Sequence, residues 1–235
     1  MEHWERLDEK IVFRHPVLCV HCDHYRLRRG DGPETGTRTR KTPGNTVGTT
    51  GDVSGDTREG DFLTLEMRNW VVVVAVTPDE RFLMVRQYRH GTRSMQLETP
   101  GGVIEPGEEP MVAAMRELRE ETGFTTDLPL RWLTTIDPNP AIQCNHAYLF
   151  LAEKCRPLTE NEILSMNVRP DPLEDIAVES LTRDELRENI QCGKLRHALI
   201  LLSLAYYDEW RRLRDGDGTP GLLAPDENRI APTPE

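Results

Sequence analysis

The stretch ETPGGVIEPGEEPMVAAMRELREETGF, residues 98–124, carries the clearest local structural signals in the chain. Pro110 suits the first turn of a helix, where its missing N–H would have no partner in any case. Gly123 suits the position just past the end of a helix, because glycine readily adopts the left-handed conformation found there. The stretch therefore predicts a glycine-rich loop followed by a helix that starts near Pro110 and closes at Gly123.

One face of this predicted helix is unusually acidic. Glu117, Glu120 and Glu121 stand at positions i, i+3 and i+4, so they share that face. The other side is expected to pack into a core and carries Met111, Ala114, Met115 and Leu118. A solvated acidic face and a cation site both fit the spacing.

Two observations favour a cation site. Arg116 lies four residues before Glu120 and can supply a countercharge, and negative charge near a helix C-terminus costs about 0.3–1 kcal/mol per group. Clustered carboxylates suit Mg²⁺, a hard ion that prefers oxygen ligands. Gly101 and Gly102 would let the backbone approach and offer a carbonyl to the same ion, and Glu108 lies where the loop meets the helix.

Composition excludes several classes of function. The 235 residues include 29 Lys and Arg against 40 Asp and Glu, and the formal net charge of −11 argues against a nucleic-acid surface. The longest apolar run, residues 71–76, is too short to span a membrane. Five cysteines without a disulfide rhythm indicate a reducing compartment, so we expect a cytoplasmic protein. Cys19, Cys22 and His24 have the spacing of a metal knuckle but lack a second pair, so we expect them to be strand residues.

The chain divides into four segments by composition. Residues 1–28 predict strands, and residues 29–60, rich in Gly, Thr and Asp, predict a disordered insertion. Residues 61–213 form the main domain, in which Thr182 and Glu185 predict a capped helix, and residues 214–235 predict a flexible tail. Strands interleaved with two principal helices predict an α+β fold, an α/β/α sandwich with a mixed sheet. Trp4, Trp70 and Trp132 are expected in the core.

The helix and loop together resemble the Nudix box. The residues that stand at its spacing are Gly102, Glu108, Arg116, Glu117, Glu120, Glu121 and Gly123. The chain is thereby similar to the Nudix hydrolases, and VRQYRHG at 85–91, LETPGG at 97–102 and Pro140 are similar to the markers of the ADP-ribose pyrophosphatase branch. The resemblance implies the Nudix fold, with a mixed sheet, a catalytic loop-helix-loop and additional antiparallel strands at the N-terminus.

The resemblance also implies roles for the acidic residues. Glu117 and Glu121 match the principal metal ligands, the Gly101 carbonyl matches a backbone ligand, and Glu120 matches a further ligand or a positioning carboxylate. Arg116 belongs to the same catalytic helix. The implied metal is Mg²⁺, with Mn²⁺ as an alternative.

Further roles are implied for substrate binding and for the general base. Arg89 matches an arginine that touches the diphosphate or the terminal ribose, and Glu98 matches a substrate-side acid. Arg86 suits a substrate contact and a surface ion pair equally well. The general base is expected in RPDPLEDIAV, at Glu174 or Asp171, with Glu120 as a substitute.

The expected reaction is metal-dependent hydrolysis of ADP-ribose or a related nucleoside diphosphate sugar to a nucleoside monophosphate and a sugar phosphate. GDP-mannose, FAD and coenzyme A are alternative substrates. A non-catalytic sensor of nucleotide sugars is an alternative from another class, although such modules usually lose box glutamates and this chain keeps them all. The resemblance further implies a homodimer in which the N-terminal strands pack against a second copy.

Overall fold

A computed structural model of the chain describes residues 3–28, 49–54, 57–166, 168, 175–216 and 223. Its strands are β1 (His3–Asp8), β2 (Ile11–Arg14), β3 (Leu18–Arg28), β4 (Thr49–Ser54), β5 (Thr57–Met67), β6 (Trp70–Val76), β7 (Phe82–Arg89), β8 (Ser94–Glu98), β9 (Gly101–Val103), β10 (Phe124–Thr125), β11 (Arg131–Ile136), β12 (Ala147–Ala152), β13 (Arg156–Pro157) and β14 (Ile176–Leu181). Its helices are α1 (Pro110–Thr122), α2 (Glu160–Met166), α3 (Arg183–Gln191) and α4 (Ala198–Arg214).

The chain forms two compact units. The first contains the described residues up to Arg68 together with the loop Asn139–Asn145. It is built on an antiparallel sheet with the order β1-β3-β5-β4, and β2 also pairs with β3. The pairing of β3 with β5 runs over ten residue pairs, from Leu18 opposite Met67 to Leu27 opposite Arg58.

The second unit contains Asn69–Pro138 and the described residues from His146 onward. Its main sheet has the order β11-β12-β6-β7-β14, with β8 on β7 and β9 on β6. The β6–β12 pair is parallel and the other pairs are antiparallel, so the sheet is mixed.

Strand β6 places core residues on both faces of this sheet. Val71, Val73 and Ala75 pack with α1 residues such as Leu118, whereas the alternate residues of the strand pack with α3 and α4. This alternation follows from the two-residue period of a strand, and burial of both faces explains the continuous apolar run. Helices on both faces of a mixed sheet confirm the predicted α/β/α sandwich.

The fold differs from the sequence expectations at several places. Strand β4 and the start of β5 fall inside the predicted disordered insertion at 29–60, and residues 29–48 lie outside the described residues. Most of the predicted tail at 214–235 also lies outside them. Trp4, expected in the core, is half exposed, because β1 lies at the edge of the first sheet. No described helix combines the length and the apolar character required to cross a membrane.

Candidate active site

Helix α1 has the boundaries that the sequence predicted. Glu109 precedes it in an extended conformation, Pro110 opens it, and Gly123 ends it at φ 70° while donating its N–H to the Arg119 carbonyl. Ala114 and Leu118 are buried as expected, but Met111 is exposed and Ala113 takes a buried place instead. The expectation that Met111 is buried was therefore wrong, because the buried face of the helix is rotated by part of a turn from the predicted one.

Glu121 is fixed between the helix and the glycine loop. It is only 8% exposed, and its Oε2 accepts a hydrogen bond of 2.8 Å from the Gly101 N–H. Gly101 lies opposite Val72 of β6. Backbone hydrogen bonds join the two strands on either side of it: Val73 N–H donates to the Pro100 carbonyl, and Ile104 N–H donates to the Asn69 carbonyl. Hydrogen bonding alternates along an antiparallel pair, so both backbone groups of Gly101 face away from β6. The Gly101 carbonyl thus lies on the side of its N–H, toward Glu121.

Glu117 packs against Gly102. A Cβ added at Gly102 would overlap the Glu117 carboxylate, so only glycine leaves room for that side chain. At Gly101 an added Cβ would overlap the Val71 carbonyl of β6. The two glycines therefore have separate purposes, since Gly101 permits strand pairing and Gly102 permits a carboxylate to approach the loop.

Arg116 connects the acidic residues of the loop and the helix. Its Nε and Nη2 donate to the two Glu108 oxygens at 2.9 and 3.0 Å. Its Nη1 donates to Glu117 Oε1 at 2.8 Å and to Glu120 Oε2 at 3.1 Å, and Nη2 also donates to the Val103 carbonyl at 3.1 Å. One cation therefore offsets repulsion among three carboxylates.

The charges of this cluster shift one another. The hydrogen bond from Arg116 lowers the pKa of Glu108, and the hydrogen bond to Glu108 is the largest cause that raises the pKa of Arg116. Both groups stay ionised near neutral pH, so the ion pair persists there. The sequence indicated an Arg116–Glu120 pair from helical spacing, but it did not indicate the bonds to Glu108, which depend on how the loop folds back.

The donor set fits a hard divalent cation, although the carboxylates are engaged elsewhere in this conformation. Within the described part of the chain, no three His, Cys, Asp or Glu side chains form a ready metal cluster. Glu117 and Glu120 bond to Arg116, and Glu121 bonds to the Gly101 N–H. Carboxylate and carbonyl oxygens are nevertheless the ligands that Mg²⁺ prefers, and the space at Gly102 accommodates one of them.

Arg89 and Glu98 form a two-pronged ion pair between β7 and β8. Arg89 Nη2 donates to Glu98 Oε2 at 2.6 Å, and its Nε donates to both carboxylate oxygens at 3.1 and 3.2 Å. The Glu98 side chain is 3% exposed, whereas that of Arg89 is 42% exposed. Glu98 lies three residues before Gly101, so their Cα atoms are at most about 11 Å apart. The structure thus brings Arg89 to Glu98, which the sequence itself places beside the glycine loop.

Arg86 takes part in an ion pair on the sheet. Its guanidinium donates to both oxygens of Glu179 on β14, and this bond lowers the pKa of Glu179. This is the arrangement expected of a surface ion pair, which the sequence had left open beside a substrate contact. The two candidates for the general base, Glu174 and Asp171, lie outside the described residues.

Comparison with known proteins identifies the family. A family model described as the NUDIX domain matches residues 67–200, which is more than half of the chain. The chain therefore belongs to the Nudix family, as the box residues indicated, and it is a Nudix pyrophosphohydrolase.

Individual relatives are consistent with one branch of the family. The chain is 34% identical over 134 residues to an ADP-ribose pyrophosphatase of Bacillus subtilis, covering 57% of this chain and 71% of the relative. It is 32% identical over 130 residues to an ADP-sugar pyrophosphatase of Mus musculus, covering 52% of this chain and 56% of the relative. A crystal structure of an ADP compounds hydrolase matches 92% of this chain and 97% of its own with a TM-score of 0.64 at 20% identity, which supports the fold.

Proposed function

We propose that this protein hydrolyses the pyrophosphate of ADP-ribose, or of a related nucleoside diphosphate sugar, with Mg²⁺ as cofactor and Mn²⁺ as a substitute. Water attacks one phosphorus atom, the bridging P–O bond breaks, and the products are a nucleoside monophosphate and a sugar phosphate. The observation that supports this proposal most strongly is the position of Glu117 and Glu121 against the glycine loop. The names of the relatives support the substrate class.

The proposed metal ligands are Glu117, Glu120, Glu121 and the Gly101 carbonyl. When bound, Mg²⁺ would offset the negative charge of the diphosphate and lower the pKa of the attacking water. Arg116 of the catalytic helix is proposed to position the acidic residues. It donates to Glu108, Glu117 and Glu120, so these carboxylates stay together despite their repulsion.

Substrate contacts are proposed for the ion pair next to the loop. Glu98 orients Arg89, and a planar guanidinium is suited to phosphate oxygens because its N–H groups match their spacing. Arg86 is a weaker proposal for the same role, because Glu179 already bonds to it through two hydrogen bonds. The base that accepts the proton from water is proposed to be Glu174 or Asp171, with Glu120 as the alternative.

The test is release of AMP from ADP-ribose with Mg²⁺, with and without EDTA. We expect release to stop with EDTA and to fall at least about tenfold in Glu117→Gln, since a metal ligand is lost. Glu105→Gln is the matched control, because Glu105 is an exposed glutamate of the same loop and its loss should change little. Unchanged release by Glu117→Gln would refute the metal site.

A panel of other substrates tests the specificity. Cleavage of GDP-mannose, FAD or coenzyme A in place of ADP-ribose would replace the proposed substrate while leaving the reaction class intact. Binding of ADP-ribose without cleavage in the presence of either metal would favour the sensor and reject catalysis.

We also propose that the protein is a homodimer. The described residues of the first unit form strands and turns, and they expose many large apolar side chains: Trp4, Leu7, Ile11, Val12, Phe13, Val17 and Leu63. We infer that these side chains contribute to an association surface, because large exposed apolar patches mark association sites in soluble proteins. A cytoplasmic location is proposed as well, because all five cysteines are free thiols. Cell fractionation that recovers the protein in a secreted fraction would reject that location.

A further inference from the structure

A groove lies between α3 and α4, on the face of the sheet opposite α1. Its volume is about 370 Å³. One wall is a single face of α3, since Arg183, Arg187 and Ile190 follow helical spacing, and the other wall is formed by Leu204 and Asp208 of α4. The volume lies in the range of small-molecule sites.

The floor of the groove is apolar. Phe82, Leu186 and Leu204 are each less than a tenth exposed and belong to the core on this side of the sheet. Ile190, near the mouth, is 37% exposed. An apolar body of a ligand would therefore gain by leaving water for this floor.

Arg183 is a polar residue of the groove that is incompletely bonded within the described part of the chain. Its Nη2 donates to Asp208 Oδ1 at 2.6 Å, whereas its Nη1 is buried without a hydrogen-bond partner among the described residues. A buried donor without a partner is unfavourable and rare in folded proteins. The Arg183 side chain as a whole is 42% exposed and the Asp208 bond holds only one end of its guanidinium. The guanidinium therefore has room to turn and to donate from Nη1 to a ligand oxygen in the groove.

The charges around the groove indicate the kind of oxygen. Arg183 and Arg187 line it together with the single carboxylate of Asp208. Arg187 also pairs with Asp184 at 2.6 Å, so the two arginines and the two carboxylates balance. Because no positive charge is in excess, a monoanion fits this groove better than a doubly charged phosphate.

We propose that the groove is a binding site for a small monocarboxylate with an aliphatic or aromatic body. The carboxylate accepts hydrogen bonds from Arg183, and the apolar body lies over Phe82, Leu186 and Leu204. The site shares no residue with the acidic face of α1 and does not depend on the proposed reaction.

The experiment is a titration of the full-length protein with octanoate, followed by methyl NMR of Leu186 and Leu204 and by calorimetry. We expect saturable binding with one site per chain that shifts both residues. In Arg183→Met the affinity should fall about tenfold, as expected for loss of a hydrogen bond to a charged group. Ile190→Trp should block binding by filling the mouth, while Arg196→Met, at an exposed arginine outside the groove, should leave it unchanged.

Each alternative gives a distinct result. Equal affinity for octanol and octanoate, or equal octanoate affinity in Arg183→Met and in the unaltered protein, would overturn recognition of the carboxylate. Absence of methyl shifts at millimolar octanoate would overturn the site itself. Shifts of the same methyl groups on dilution, or on deletion of residues 217–235, would show that a second copy or the chain's own C-terminal segment occupies the groove, and either would replace the proposal.

Discussion

Gly102 is the residue at which the smallest change tests the geometry of the acidic cluster. An added methyl group would overlap the Glu117 carboxylate, so Gly102→Ala must displace that side chain. We expect AMP release from ADP-ribose to fall at least about tenfold, because a misplaced metal ligand weakens the site. Gly91→Ala is the matched control, since an added Cβ there meets nothing within 4 Å. Equal activity of both variants would contradict the assigned contact.

Gly101→Ala should lower the stability of the fold, whereas Gly102→Ala should mainly lower activity. Its Cβ would overlap the Val71 carbonyl, which belongs to the backbone of β6 and cannot turn away. We expect the free energy of unfolding in urea to fall by about 1–3 kcal/mol, a typical cost of overpacking. Gly102→Ala should lose less stability, because it displaces a side chain. The reverse order of stabilities would contradict the strand register.

Thr99 tests whether an unbonded buried hydroxyl has a role. Its Oγ1 has no partner among the described residues, so Thr99→Val should change the unfolding free energy by no more than about 1 kcal/mol. Thr126 is equally buried, but it donates to the Glu153 carbonyl at 2.6 Å and accepts from Leu128 N–H. Thr126→Val should cost about 1–3 kcal/mol. A larger loss at Thr99 would show that its hydroxyl has a partner in solution.

The parts of the site that could be predicted from the sequence are those that depend on the backbone preference of a single residue. Pro110 and Gly123 determine the ends of α1 through their own backbone preferences, so these ends were correct. The contact of Arg89 with Glu98 depends on the pairing of β7 with β8, and local sequence does not set that register. Met111 was misplaced because helical spacing gives a face only to within part of a turn.

Among the elements, α2 depends on polar contacts, because none of its side chains is buried. Arg156 donates to both oxygens of Glu162, and Thr159 N–H and hydroxyl donate to Oε2. The Arg156 bonds, followed by those from Thr159, lower the pKa of Glu162 from 4.5 to about 2. The stability that ionised Glu162 contributes should therefore be complete above pH 4.5 and disappear as the pH falls toward 2.

Hydrogen exchange of the α2 amides checks this dependence. At neutral pH, Glu162→Gln should exchange faster than the unaltered protein, and the difference should shrink as the pH falls through the range from 4.5 to 2. Glu160→Gln, in the first turn of the same helix, is the control and should show a smaller change. A difference that persists at the lowest pH would contradict a role for the ionised carboxylate.

The same helix shows where the apolar pattern of a sequence stops predicting a helix. An apolar period arises only when a helix buries one face, and α2 buries none, so it was not predicted, although Thr159 and Glu162 have the spacing and the bonds of a capping box. Helix α3 begins with the capping box of Thr182 and Glu185, a local signal that predicted its start correctly. Strands β4 and β5 pair through backbone groups, so the polar composition of residues 49–60 did not reveal them.

For the whole molecule, the exposed apolar side chains of the first unit predict a dimer in solution. Phe13 and Val17 are 54% and 62% exposed, so Phe13→Asp should weaken an interface without creating a cavity. Light scattering after size exclusion should give the dimer mass for the unaltered chain and a larger monomer fraction for Phe13→Asp. Glu9→Gln, at an exposed residue near the same strands, should remain dimeric. A monomer at every concentration would reject the dimer.

The account depends on a divalent cation binding the acidic face of α1, and titration with Mn²⁺ followed by electron paramagnetic resonance measures this directly. We predict that the unaltered protein binds Mn²⁺ and that Mg²⁺ competes for the site. Affinity for Mn²⁺ should fall at least about tenfold in Glu117→Gln and in Glu121→Gln, because each loses a metal ligand. The new amide of Glu121→Gln can still accept from the Gly101 N–H, so that variant keeps the loop contact. In Glu105→Gln the affinity should not change. Equal Mn²⁺ affinity in all four proteins would contradict the central claim.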